Sequence, residues 1–584
     1  MTRASRWAAP VVAFVLFAFV PLLAAAQERQ LLDYDSIQHP VIGDRGMVVS
    51  QSEIASRIGA DVLKRGGNAV DAVVAVSFAL AVVLPRAGNI GGDGFMLVHM
   101  SEPGRTVAID YRSMAPAAAT REFYVDQKGK TSQRARRGHT AAAVPGTVAG
   151  LWHVHGKFGS LPWKDLVAPA IELAEQGVVL THDEAHALEW ARKRLSVTEA
   201  GRRIFFKPDG SAYAPGELFR QPELAWTLRQ IAEHGADAFY KGEIAKRIAA
   251  DMAKHGALIT EADLAAYRPV ERKPIATPYR DTLVVTMPPP SGGGVAILQM
   301  LNILERYDLR RLGAGSAEAT HLLAEAMKLA YADRTRYIGD PDFARVPLKG
   351  LISKNYAAER ARSISTRRAS RAPDIGPGDP WRHEGTQTTH ISVADAAGNV
   401  VSNTYTLGSS YGSGAVVEGA GFILNDQMKN FALEAGKDVV KLSTSPANAL
   451  EPGKRMMSTM APTIVFRDGK PWLVTGTPGG STILNTIVQV IVNVVDHRMN
   501  IAAATHAPRI HQQWKPGELE VEPGFNIDTI RLLESKGHKV EMRSTIGSAQ
   551  SIVLENGRFF GAADPRRPGA AAVPNQELPA SCDF

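Results

Sequence analysis

Apolar and polar positions alternate along the chain with two different periods, and these divide it into helices and strands. Residues 52–63 repeat apolar side chains at helical spacing, break at Gly66-Gly67-Asn68, and resume over residues 69–84, which are rich in Ala and Val. Asn68 suits the N-cap of that second helix, with Asp71 in its first turn. The glycine-rich stretch 88–94 then leads into strands predicted over 95–99 and 106–111. Residues 147–270 read as mainly helical. A strand over 282–287 runs into Pro288-Pro-Pro-Ser-Gly-Gly-Gly294 and an amphipathic helix over 295–306, and a further helix covers 318–337. Strands and glycine turns are expected to alternate from Leu407 to about Leu424. A hairpin is predicted from 463–467 and 472–475, a helix over 481–495, and late strands over 539–542 and 551–554.

One hairpin carries candidate chemistry. Thr388-Thr389-His390 begins an arm rich in β-formers, Ala396-Ala397-Gly398 makes a three-residue loop, and a second such arm ends at Thr406. Loops of this length favour Gly in the left-handed position. With Asp395 and Asn399 closing the loop, paired residue numbers sum to 794, which sets Thr406 opposite Thr388 and Thr404 opposite His390. A threonine becomes a nucleophile when its own α-amine is free to act as base, and here that requires a cut before Thr388. Threonines also simply suit strands, and spacing alone leaves both readings open. The preceding stretch, 366–387, holds Arg367, Arg368 and Arg371 with prolines and glycines and little apolar content. It reads as an exposed, mobile loop.

Composition narrows the setting. Residues 1–26 resemble a secretory leader: Arg3 and Arg6, an apolar core over 11–20, and Ala24-Ala25-Ala26 before Gln27. The apolar run is shorter than the roughly 20 residues a membrane span needs, and the alternative reading is an uncleaved N-terminal anchor. The mature protein is therefore expected to be exported, periplasmic in a Gram-negative cell, with no stable membrane span. The chain has 66 Lys+Arg against 59 Asp+Glu, and losing Arg3 and Arg6 leaves 64 − 59 = +5. That mild excess, without a dense basic stripe, argues against nucleic acid as a partner. The single cysteine, Cys582, excludes an internal disulfide or a Cys-based zinc site.

Other motifs have more than one reading. Gly476-Thr-Pro-Gly-Gly-Ser481 joins a strand to a helix. Ser481 is a natural N-cap, and the Gly479 and Gly480 amides suit an anion or a developing oxyanion, or else a plain tight turn. Gly408-Ser409-Ser410-Tyr411-Gly412 matches the G-x-S-x-G pattern of serine hydrolases, but no helix is predicted to complete the elbow after Ser410. His506 and His511 flank a Pro-Arg pair, a poor metal arrangement. Arg112, just after a strand, suits either a carboxylate clamp or a structural ion pair.

Ten stretches taken in order are similar to the γ-glutamyltransferase (γ-glutamyltranspeptidase) family. They include Gly66-Gly-Asn-Ala-Val-Asp-Ala72, Gly88-Asn-Ile-Gly-Gly-Asp-Gly-Phe-Met96, Asp110-Tyr-Arg-Ser-Met-Ala-Pro116, Val144-Pro-Gly-Thr-Val-Ala-Gly150 and Pro289-Pro-Ser-Gly-Gly-Gly294. Ala330-Tyr-Ala-Asp-Arg334, Thr388-Thr-His390, the stretch from Lys454 to Thr463, Thr477-Pro-Gly-Gly-Ser481 and His506-Ala-Pro-Arg509 complete them. The resemblance implies an α/β (α+β) fold, a four-layer αββα sandwich of the N-terminal-nucleophile hydrolase type. It also implies self-cleavage between Gln387 and Thr388, giving a large subunit, 27–387, intertwined with a small one, 388–584, as a heterodimer. Thr388 would be the nucleophile, with Thr406 hydrogen-bonded to it and Gly479 and Gly480 holding the oxyanion. The implied substrates are γ-glutamyl donors such as glutathione and amino acid or peptide acceptors, with no cofactor and no metal.

For substrate binding the resemblance assigns Arg112, Ser458 and Thr459 to the donor α-carboxylate, with Thr459 where Ser is usual. Gln427 and Asn430 go to the region of its α-amine. Two positions depart from the family pattern: Gly408 stands where many members have Asn, and Asn430 where they have Asp. Losing that carboxylate should weaken the hold on a γ-glutamyl ammonium and favour glutaryl groups, as in the cephalosporin-acylase-like branch. Asp426 would compensate only if it faced the site, and strand alternation points it away. Residues 432–450 carry no aromatic where some members have a tyrosine lid, so a more open donor site is expected. The alternative functions are a glutaryl or cephalosporin-type acylase on the same fold, a serine esterase using Ser410, and a non-catalytic binding protein.

Overall fold

Two seven-stranded antiparallel sheets form the centre of the computed structural model, which describes residues 36–380, 391–434 and 445–574. The expected leader, the Gln387/Thr388 junction, His390, much of the segment after Phe431 and Cys582 lie outside those residues. One sheet runs Ala570–Ala572, Gly46–Ser50, Ile391–Asp395, Val400–Thr406, Asp93–Met100, Arg105–Tyr111, Val270–Arg272. The other runs Val41–Gly43, Arg558–Ala563, Gln550–Glu555, Lys470–Gly476, Thr463–Arg467, Thr282–Thr286, Ile275–Tyr279. Strands from before and after the 381–390 gap lie side by side in both. Within residues 40–584 the contacts form a single unit.

The period-2 pattern explains the layering. Val48, Val98, Val393 and Val401 pack in one apolar cluster with the helices Glu53–Lys64 and Ala69–Val83. Their neighbours Met47, Val49, Leu97, Ala394 and Val400 fall in a second cluster with Ile464, Leu473, Val474 and Ile552 of the other sheet. The helices Gly293–Leu304, Ala317–Tyr337 and Thr482–Val495 close that second cluster from outside. The order is helices, sheet, sheet, helices: a four-layer αββα sandwich.

Most predicted elements lie within a few residues of their expected bounds, and Asn68 caps Ala69–Val83 in a reciprocal capping box with Asp71. The hairpin register is as expected. Ile391 faces Asn403 and Ala394 faces Val400, every pair summing to 794, and Gly398 is left-handed at φ +83°.

Four expectations are corrected. The helix Gly293–Leu304 is buried on every side instead of amphipathic, because it lies beneath neighbouring helices as well as on a sheet. Residues 407–424 form turns with a single bridge, Val416–Ile423, instead of strands. Ser481 holds the N-cap position as expected but does not cap with its side chain: its backbone is already in the helical region (φ −60°, ψ −29°) and it makes no side-chain cap bond. Up to residue 380 the stretch before the junction is largely exposed but tied down, not free. Ala369 N donates to Lys536 O (2.7 Å), Lys328 Nζ to Ser370 O (2.8 Å) and Gly378 N to Asp333 Oδ1 (2.7 Å).

Candidate active site

The strand Val400–Thr406 delivers Thr406 to the rim of a cavity of about 520 Å³. Seven other predicted site residues reach the same cavity from separate segments: Arg112, Gln427, Asn430, Ser458, Thr459, Gly479 and Gly480. Thr388 lies outside the described residues. Thr406 Oγ1 accepts a hydrogen bond from Gly408 N (2.9 Å), which fixes its rotamer.

The turn between Lys470–Gly476 and Thr482–Val495 forms one wall. Gly479 and Gly480 take φ +140° and +59°, values in the left-handed region that favours glycine. Their carbonyls accept Thr482 N (3.2 Å) and Ile483 N (3.3 Å). Neither glycine amide donates a hydrogen bond among the described residues, so both N–H groups are free at a helix start that lines the cavity. Such amides stabilise negative charge developing nearby.

The opposite wall is a buried polar network. Arg112, 1% exposed, bonds Asp93 Oδ1 through Nη1 (2.5 Å), Gln427 Oε1 through Nη2 (3.0 Å) and Met456 O through Nε (3.2 Å). Arg112 therefore makes the structural ion pair of one reading, and it also lines the cavity. Burial raises the Asp93 carboxyl above its usual range despite Arg112. Gln427 Oε1 also accepts Asn430 Nδ2 (2.5 Å), and its Nε2 donates to Asp93 Oδ1 (3.3 Å). Ser458 is held through backbone bonds, Ser458 N to Pro290 O (3.1 Å) and Gly292 N to Ser458 O (2.8 Å).

Asp426 is not turned away by strand alternation, because residues 421–426 form no strand. It sits against Gly408, where an added Cβ would lie 2.1 Å from Asp426 Oδ1. Its charge is already engaged by Ser409 N (2.8 Å), Lys429 Nζ (2.6 Å) and Arg194. Burial lowers the Lys429 ammonium below its ordinary range.

Ser410 also lines the cavity, but the chain turns through Tyr411 (φ +58°) and Gly412 (φ +48°) into no helix. No histidine bonds Ser410 among the described residues. The esterase elbow is not formed there. His511 bonds Asn485 Nδ2 (2.7 Å), a structural role.

Sequence reading missed the cavity's charge. Arg86, Arg112, Arg334, Lys429, Arg543 and Arg567 line it, with no Asp or Glu among the lining residues. No local motif marks this, since the six come from distant segments.

A fold of two facing antiparallel sheets between helices, with a threonine strand against free helix-start amides, defines an N-terminal-nucleophile hydrolase. A family profile described as Gamma-glutamyltranspeptidase matches residues 55–574. The chain is 48% identical over 536 residues to a glutathione hydrolase proenzyme of Escherichia coli (strain K12), covering 91% of this chain and 92% of the relative. It is 42% identical over 560 residues to a glutathione hydrolase proenzyme of Pseudomonas sp. (strain A14), covering 94% and 97%. Among solved structures, a cephalosporin acylase from Bacillus halodurans superposes with a TM-score of 0.82 at 31% identity, covering 94% of this chain and 99% of that one. The chain belongs to the gamma-glutamyltranspeptidase family.

Proposed function

We propose that this protein is a self-processing γ-glutamyl hydrolase and transferase acting on glutathione-like donors. One observation carries this reading: catalytic and binding candidates from separate segments meet in one cavity whose wall offers two unbonded glycine amides. Cleavage between Gln387 and Thr388 would give subunits 27–387 and 388–584, in line with relatives named as proenzymes. The described hairpin pairs Ile391 with Asn403, and the same count carried three residues further would put Thr388 opposite Thr406.

In the proposed reaction Thr388 Oγ attacks the γ-carbonyl carbon and its proton passes to the freed α-amine, a base whose ordinary pKa is about 8. The carbonyl oxygen becomes an oxyanion held by the Gly479 and Gly480 amides. The C–N bond then breaks, the leaving amine takes the proton, and an acyl ester on Thr388 remains. Water, or the amine of an acceptor amino acid or peptide, attacks that ester and restores the Thr388 hydroxyl. Arg112, Ser458 and Thr459 would hold the donor α-carboxylate, with Gln427 and Asn430 beside its α-amine. No described helix is long and apolar enough to cross a membrane, which fits the export expected from residues 1–26.

A second reading has its own support. The cavity lining offers a donor ammonium no carboxylate, and Asp426 is committed to Lys429. Glutaryl amides, which lack the ammonium, therefore fit this site as acyl donors. Parallel assays of γ-glutamyl-p-nitroanilide and glutaryl-p-nitroanilide decide between the two. Turnover of neither by correctly processed protein would overturn both.

A further inference from the structure

Away from the cavity, near the end of the helix Glu243–Lys254, Asp251 is a buried carboxylate that no Lys or Arg pairs with among the described residues. Its partners are two histidines. His139 Nε2 bonds Asp251 Oδ2 (2.8 Å), and His255 Nδ1 lies 3.4 Å from Oδ1. The Glu418 amide donates to Oδ2 (3.4 Å). Burial works against the charge, but His139, the Glu418 amide and His255 outweigh it and hold the carboxyl below its ordinary range. The two imidazoles stack face to face, 3.8 Å apart and 6° from parallel, which disfavours both being charged at once. A buried carboxylate needs a partner charge, and a divalent cation would supply it in full. A second cluster, His321, Glu325 and His538, is already filled: Glu325 holds Lys328 (2.7 Å) and His321 bonds His538 (2.8 Å).

We propose that His139, Asp251 and His255 bind one divalent transition-metal ion of the zinc class, at a site apart from the acyl-transfer cavity. Two imidazoles and a carboxylate suit such an ion, whereas Mg2+ and Ca2+ take oxygen shells. Asp251 and His255 stand at i and i+4 on one helix face, and His139 meets them from the turn His139–Ala141. One ligand atom from each lies within 4.8 Å of the others. Around a tetrahedral zinc with bonds of about 2.0–2.1 Å they would stand about 3.4 Å apart, a gap that side-chain rotation closes. His255 is at the exposed edge, with Nδ1 2.9 Å from the Asp251 carbonyl oxygen and no partner for Nε2 among the described residues. It is free to turn a nitrogen inward, and water completes the shell from its open side. The site also joins segments that self-cleavage would place in different chains, since Asp251 holds Glu418 N and Gly138 N donates to Ser413 O (3.0 Å). A bound ion would therefore clamp the two subunits together. That consequence rests on the processing proposed above; the metal site does not.

The test titrates the untagged full protein, stripped with a chelator, with ZnCl2 against a chromophoric competitor, and follows the thermal midpoint in parallel. One tight equivalent is expected, with a raised midpoint, and excess MgCl2 or CaCl2 should not displace it. Even the outer partners of a metal cost about 10–100-fold in affinity when lost, so His255→Ala and Asp251→Asn should each weaken the tight equivalent by ~100-fold or more. His182 and His186, an exposed pair also at i and i+4, are the rival chelate, and His186→Ala should keep the tight equivalent. Absence of a tight equivalent in wild type, its survival in His255→Ala, or its loss in His186→Ala would overturn the proposal. If Asp251→Asn does not fold, His255→Ala at the exposed edge carries the test. The titration reads the site whether or not the protein turns over any acyl donor, so failure of the acyl-transfer reading would leave this result standing.

Discussion

Replacing Asn430 with Asp would put a carboxylate beside the proposed position of the donor ammonium, and the structure sets what it should do. Gln427 is oriented by Arg112 Nη2 on its oxygen (3.0 Å) and Asp93 Oδ1 on its nitrogen (3.3 Å). Its Oε1 therefore stays directed at residue 430, where Asn430 Nδ2 donates to it (2.5 Å). An aspartate there loses that bond, faces an oxygen, and has its carboxylate driven toward the cavity. The lost neutral bond costs about 0.5–1.5 kcal/mol, but it weighs on every donor alike and cancels in a ratio. A hydrogen bond to a charged group contributes about 1.5–3 kcal/mol, and only a donor with an ammonium collects it. At about 1.4 kcal/mol per tenfold, the γ-glutamyl:glutaryl ratio of kcat/KM should rise roughly 10–150-fold. Stopped assays of the two p-nitroanilides, on protein whose processing is verified by gel, measure it. An unchanged or reduced ratio would refute the reasoning.

Other outcomes follow from particular contacts. Asp93→Asn leaves the Arg112 guanidinium buried without its counter-charge, a loss of about 3–5 kcal/mol for a broken buried pair; denaturant unfolding that changes by less than about 1 kcal/mol would contradict this. Burial pushes the Glu184 carboxyl up to about 7 although Arg86 lies 3.0 Å away. Between the unfolded value near 4.3 and that value the folded protein binds a proton the unfolded chain has released, so stability falls as pH rises through this window. Glu184→Gln should remove that decline, on the order of 2–3 kcal/mol, and parallel unfolding curves for the two proteins at pH 4.5 and 7.5 would argue against it. Thr388→Ala should abolish both self-cleavage and turnover, whereas Ser410→Ala should retain them; the reverse pattern in a donor assay would favour the esterase.

Much of this was legible because local rules and tertiary demands agree. The 388–406 hairpin has β-rich arms and a Gly at its one left-handed loop position, so register followed from counting, and Ile391 meets Asn403 as that count requires. Asn68 was readable as a cap because its partner Asp71 lies three residues on. Ser481 shows the limit: it holds the N-cap position, but the turn made by Gly479 and Gly480 already gives it helical backbone angles, and its side chain makes no cap bond. Asp426 was misplaced because a period-2 argument needs a strand, and residues 421–426 are irregular. The helix Gly293–Leu304 carries Gln299 and Asn302 on what looked like a polar face. In the fold Gln299 bonds Asp333 and Asn302 bonds Ile352 O (2.6 Å), so both are buried and satisfied. The cationic cavity was invisible because charges far apart in sequence become neighbours only when Arg86, Arg543 and Arg567 are folded around one site.

The central claim is that a single broken peptide bond makes the nucleophile. Mass spectrometry of the intact, active protein, with Edman sequencing of its chains, tests it directly. The expected result is two chains, the smaller beginning Thr388-Thr389-His390, with activity in proportion to their amount. A preparation of full specific activity containing only uncut polypeptide would contradict it.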